Sequence, residues 1–129
     1  MALANPRPDL TAYERATRSE LPTLITELAE ILGPRLVAYM AGVGETRAVR
    51  EWADGRREPR DPIPNRLRLA YRVAHLIGEH DSPEVARAWF QGLNPQLDDQ
   101  SPARLIREQA IEEVGPDVVA AARAFVVGG

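Results

Sequence analysis

The sequence predicts an all-α protein, a compact helical bundle. Three observations predict it. Apolar residues recur at three- and four-residue spacing along the chain, prolines stand where helices begin and glycines where they stop, and no segment keeps the period-two alternation of a strand. A proline in the first helical turn loses no hydrogen bond and already has a helical φ, so each proline-led apolar run reads as one element.

The first strong helix runs from about Pro22 to Leu32, with Leu21, Leu24, Ile25, Leu28, Ile31 and Leu32 on one face, and Gly33 stops it. Pro34 starts a second helix through Ala41, closed by Gly42. A third runs from about Glu45 to Ala53, with Gly55 as a left-handed cap. The charged, proline-containing stretch from Arg57 to Pro64 is too short for a domain linker and reads as a loop. From Pro64 to Glu79, Leu67, Ala70, Tyr71, Ala74 and Ile77 form one stripe, with Arg66, Arg68 and Arg72 mostly off it, which makes this the central core helix. Ser82 with Pro83 opens a helix to about Gln91, stopped by Gly92. Ser101 with Pro102 opens another carrying Leu105 and Ile106, and Gly115 with Pro116 opens the last, carrying Val118, Val119, Ala122, Phe125 and Val126. Residues 1–20 are expected to be a flexible segment, disordered around Asn5, Pro6, Arg7 and Pro8 and weakly helical from Leu10 to Arg18.

At 129 residues and 44% hydrophobic, the chain can build one core but not two. The helical units 21–80 and 81–129 are therefore expected to form one cooperative globule. With no cysteine there is neither a disulfide nor a thiolate metal site, and no apolar run approaches the roughly 20 residues that span a bilayer. Nor does the N-terminus carry a charged segment followed by an apolar stretch. A soluble, cytoplasmic protein without a membrane partner is expected.

The net charge of −3 hides an uneven distribution. Residues 1–46 carry 4 arginines against 6 acids, residues 47–72 carry 8 against 4, and residues 73–129 carry 4 against 9. A basic middle between acidic flanks suits a nucleic-acid face or an anionic partner, and equally an ordinary solvated arginine-rich helix.

Signs of catalysis are missing. His75 and His80 are five residues apart, about 140° around a helix, and cannot share a metal. The acid pairs Asp98/Asp99 and Glu112/Glu113 are sequence neighbours that diverge rather than converge on one bond. No nucleophile elbow, phosphate-binding glycine loop or cysteine nucleophile is present. Neither an enzyme nor a cofactor is expected.

The run from Pro34 to Trp52 resembles the helix-turn-helix of Xre-type regulators, with Ala38 placed four residues before Gly42 at the sharp turn. In that resemblance the helix from Glu45 to Ala53 is the reading helix. Val49 and Trp52 then face the core, and Arg47, Arg50, Arg56 and Arg57 are available to DNA, since arginine reads guanine edges and contacts phosphates. Two features depart from the pattern. The turn from Gly42 to Glu45 is one residue longer than usual, and Glu45, Glu51 and Asp54 lie in or beside the reading helix. The same unit would serve as a packing scaffold or a dimerisation surface.

The most specific pattern lies from Ala86 onward: Trp89 and Phe90, Asn94 and Pro95, Leu97, Ser101 and Pro102, Leu105 and Ile106, then Gly115 and Val118. Together with the preceding unit, over about residues 21–127, it resembles the Xre/MbcA/ParS-like antitoxin family with its C-terminal toxin-binding domain. The resemblance implies a homodimeric antitoxin of a type II toxin–antitoxin system. Such a protein blocks the active site of a cognate toxin, commonly a RES-domain enzyme that degrades NAD or a related ADP-ribosyltransferase, and can also bind its own operator DNA. It assigns toxin binding to Trp89, Phe90, Asn94, Pro95, Leu97, Ser101, Pro102 and Leu105, and to the terminal stretch with Arg123, Phe125, Val127, Gly128 and Gly129. The alternative is a stand-alone DNA-binding regulator of Xre type. Residue chemistry leaves several points open. Trp89 can anchor a core or an interface, the turn with Asn94, Pro95, Asp98 and Asp99 is a solvated surface unless a partner supplies arginines, and the small apolar tail from Val126 either enters a cleft or frays.

Overall fold

The computed structural model describes Leu10 and residues 20–128. The expectations for residues 1–20 therefore fall, apart from Leu10 and Glu20, outside the described residues, as does the assignment of Gly129. The described chain is all-α. It consists of α1 (Leu21–Leu32), α2 (Pro34–Ala41), α3 (Thr46–Ala53), α4 (Ile63–His80), α5 (Pro83–Gln91), a 3-10 turn (Pro95–Leu97), α6 (Pro102–Glu108) and α7 (Ile111–Gly128). Among the described residues there is no strand, only an isolated antiparallel bridge between Asn94 and Gln100.

Helix starts follow a repeated device, a capping side chain followed by proline. Ser82 Oγ accepts the Val85 N–H at 3.2 Å, Asn94 Oδ1 accepts the Gln96 N–H at 2.9 Å, and Ser101 Oγ accepts the Arg104 N–H at 3.2 Å. Pro83, Pro95 and Pro102 follow these caps. Between α2 and α3, Gly42 sits at φ 92°, a left-handed backbone open to glycine. The N–H groups of Gly42 and Val43 there fold back onto the last turn of α2. A β-carbon on Gly42 would lie 2.9 Å from Arg66 Nη1, so the glycine also makes room for that guanidinium.

The last helix differs from expectation. It begins at Ile111, where the N–H groups of Glu113 and Val114 close on the Ala110 carbonyl, and Pro116 lies inside it. An interior proline removes one hydrogen bond and presses on the carbonyl four residues back. Here that loss falls in the second turn, close to the helix start. Gly115, buried against Ile111 and Leu69, keeps the turn packed onto α4.

α4 is the hub, in contact with α1, α2, α5, α6 and α7. One core runs through both halves of the chain, from Leu24, Leu28 and Val49 through Leu67, Tyr71 and Ile77 to Phe90, Ile106 and Val118. Three arginines tie the later elements to the earlier ones by donating to carbonyls in the last turns of α1 and α2. Arg66 donates to the Ala41 oxygen at 2.9 Å, Arg87 to the Ile31 oxygen at 3.0 Å, and Arg107 to the Tyr39 oxygen at 2.7 Å. Arg107 also stacks over the Tyr39 ring, 4.7 Å from its centroid.

Candidate partner-binding groove

An open, mainly apolar groove of about 640 Å³ lies between α5 and α7, floored by the turn that joins α5 to α6. Its α5 wall is Val85, Ala88 and Trp89, and its α7 wall is Ala121, Ala124 and Phe125. Each wall repeats at helical spacing, and the alanines leave the space that the aromatic rings border. Leu93 stands at its edge with 75% of its surface exposed, and Val127, at the α7 end, is 88% exposed.

The groove rests on a rigid base. Trp89 and Phe90 meet edge to face with ring centroids 5.4 Å apart; Phe90 is fully buried and Trp89 nearly so. Leu97 plugs the turn from below. The Asp99 and Leu97 N–H groups both donate to the Asn94 carbonyl, and the Gln100 N–H donates to the Leu97 carbonyl. The segment 94–100 is thus a closed loop, held with Asp98 and Asp99 at left-handed φ of 55° and 59°.

These placements divide the residues that the family resemblance assigns to toxin binding. Phe90, Leu97, Pro102 and Leu105 are buried in the core, and Asn94 and Ser101 cap the elements that follow them. Trp89 belongs to both sets, buried yet lining the groove. Pro95, Phe125 and Gly128 line the groove, while Arg123 and Val127, four residues apart on one face of α7, are exposed outside the lining. Val126, Val127 and Gly128 form the last turn of α7 rather than an extended tail. Leu93 is the residue that sequence reasoning missed. Its one signal is a leucine between a helix-stopping glycine and an Asn-Pro turn, where no helical stripe can hide it.

At the other end, α3 buries Ala48, Val49 and Trp52 and turns Arg47 and Arg50 outward. The charges there answer one another. Glu51 accepts from Arg47 at 3.3 Å and from Arg57 at 3.1 Å, and Arg56 pairs with Asp54 at 2.8 Å. Arg50 reaches the Thr46 hydroxyl at 3.4 Å. The hydrogen bond from Arg57 holds the Glu51 carboxyl below the ordinary carboxylate range, with desolvation opposing it and Arg47 adding to it. The two histidines lie apart in their surroundings: His75 is half-buried with Nε2 3.5 Å from Glu27, and His80 is exposed in the last turn of α4. Among the described residues no group of three or more His, Cys, Asp or Glu is placed to hold a metal ion, and no helix is long and apolar enough to cross a membrane.

Comparison with family models and with curated proteins finds no match. Among solved structures, the chain is similar to a chain of the crystal structure of the M. tuberculosis MbcT–MbcA toxin–antitoxin complex. The TM-score is 0.68 at 24% sequence identity, over 85% of this chain and 96% of that one. The two share a fold along nearly their whole lengths.

Proposed function

We propose that this protein is an antitoxin. It binds a cognate toxin protein through the α5–α7 groove and covers the toxin's active site by steric occlusion, without catalysis of its own. The observation that carries the reading is Leu93, held in water at a groove lined by Trp89 and Phe125. A large exposed aliphatic side chain at an aromatic-lined groove marks a surface that another molecule covers. The toxin as that molecule is supported by the Trp-Phe, Asn-Pro and Ser-Pro pattern of the antitoxin family and by the fold shared with a chain of a toxin–antitoxin complex. The family resemblance narrows the toxin to a RES-domain enzyme that degrades NAD, or a related ADP-ribosyltransferase, and makes the antitoxin a cytoplasmic homodimer.

The test is neutralisation. The product of an adjoining reading frame should arrest growth when expressed alone, copurify with this chain, and be silenced by it. Leu93→Ser should lose both binding and rescue while the protein stays folded. A harmless frame product, or a variant that neutralises as well as the parent, would count against the reading.

Operator binding by the helix-turn-helix-like α2–α3 unit is a separate proposal, favoured by the outward exposure of Arg47 and Arg50 on α3. A salt-sensitive gel shift with the upstream DNA should then disappear on Arg47→Ala plus Arg50→Ala. With about four arginine–phosphate contacts the log-log salt slope should be about −3.6. A stand-alone regulator would give that shift and have no toxin to bind.

A further inference from the structure

The charge around the groove is one-sided. Glu84 stands one turn before Ala88 on α5, and Asp117 one turn before Ala121 on α7. Asp98 and Asp99 directly follow the 3-10 turn whose Pro95 and Gln96 line the groove. All four are exposed, and none makes an ion pair among the described residues. The nearby arginines have contacts of their own: Arg87 on the Ile31 carbonyl, Arg107 on the Tyr39 carbonyl and Arg104 on Glu108, while Arg123 of α7, which lies outside the groove lining, is likewise engaged. The hydrogen-bonded loop 94–100 fixes the backbone that carries two of these carboxylates.

We infer that the occupant of the groove is a cationic amphipathic segment of the partner, inserting large apolar side chains between α5 and α7 with arginine or lysine beside them. The inference rests on the antitoxin reading for the partner's identity and adds its chemistry. An anionic segment would be repelled by four carboxylates. A purely apolar one would strip water from them without giving them a counter-charge. A cationic segment answers both the apolar walls and the charged surround, and places arginine at the edge of an aromatic-lined pocket, a pairing common at the energetic centres of interfaces.

Two synthetic amphipathic helices of about 15 residues, long enough to be helical when bound, test this with the full chain. They share one leucine face and differ only in carrying arginine or glutamate on the flanks. Trp89 lines the groove and reports binding by fluorescence, with calorimetry giving Kd. The arginine peptide should bind at least about tenfold more tightly than the glutamate peptide. Asp98→Asn with Asp99→Asn keeps residues that tolerate the left-handed backbone and should weaken the arginine peptide by about 3- to 10-fold. Leu93→Ser should weaken it as well. Equal binding of the two peptides, or indifference to Leu93→Ser, would overturn the inference. So would self-association in sedimentation that Leu93→Ser abolishes and the arginine peptide cannot displace, because a second copy would then fill the groove. A chain that neutralises its toxin but ignores both peptides would keep the antitoxin reading and lose this one. A chain that binds the arginine peptide but silences no toxin would do the reverse.

Discussion

Around α3, Arg47, Arg56 and Arg57 are each paired with a carboxylate, while around the α5–α7 groove Glu84, Asp98, Asp99 and Asp117 face solvent without an ion pair among the described residues. The apolar surface divides the same way. Val49 and Trp52 of α3 are buried, whereas Leu93 at the groove is not. Pairing leaves the net charge of residues 47–72 unchanged, 8 arginines against 4 acids, but it holds Arg47, Arg56 and Arg57 against Glu51 and Asp54. The acidic excess of residues 73–129, 9 acids against 4 arginines, includes carboxylates without an ion pair among the described residues, while Arg87 and Arg107 keep their charge as they donate to backbone carbonyls. Net charge per segment becomes a statement about binding only after its partners are assigned.

The comparison can be broken most forcefully at the base of the groove. Phe90→Ala empties a fully buried aromatic site and should cost about 3–5 kcal/mol in denaturant unfolding. Leu93→Ser, three residues on and exposed, should change stability by less than about 0.5 kcal/mol. Similar losses from the two would mean that the rim is structural. Next in size are the arginines. Arg107→Ala removes both a hydrogen bond to a helix-end carbonyl and a stacking contact, and should lower stability by about 1–2 kcal/mol. Arg47→Ala, in an exposed pair, should fall within about 0.5 kcal/mol by the same measurement. Gly115→Ala sharpens the account of α7 in the opposite direction. Its β-carbon would meet Ile111 at 3.7 Å and Leu69 at 4.0 Å, ordinary contacts, so the melting temperature should rise by the equivalent of about 0.5–1 kcal/mol. The smallest effect belongs to Glu51. Its native pKa lies below the unfolded value, so its pairing with Arg57 and Arg47 contributes stability above the unfolded pKa that is lost as pH falls through the native one. Glu51→Gln should therefore be less stable than the parent at neutral pH and indistinguishable from it in acid.

Much of this fold is legible in the sequence because its signals are local. Ser82-Pro83 and Ser101-Pro102 begin α5 and α6 where the capping chemistry says, and Gly33 and Gly42 end α1 and α2. Pro116 misleads for the same reason. A first-turn proline and one in the second turn carry the same local signature, and only the packing of Gly115 on Leu69 distinguishes them. The groove is less legible. Phe90, Leu97 and Leu105 are buried, and nothing in the sequence pattern separates these residues from Leu93, which the loop presents to solvent. The arginine caps are long-range: Arg87 meets Ile31 and Arg107 meets Tyr39 from 56 and 68 residues away in the sequence, beyond the reach of any periodicity.

On the proposed function, the α5–α7 groove is the surface that grips a toxin partner. The dissociation constant of the full chain for the candidate toxin, measured by calorimetry for the parent and for Leu93→Ser at matched melting temperature, decides this. Binding should be at least about tenfold weaker in the variant, the loss of one apolar anchor. An unchanged Kd would place the toxin elsewhere on the molecule and contradict it.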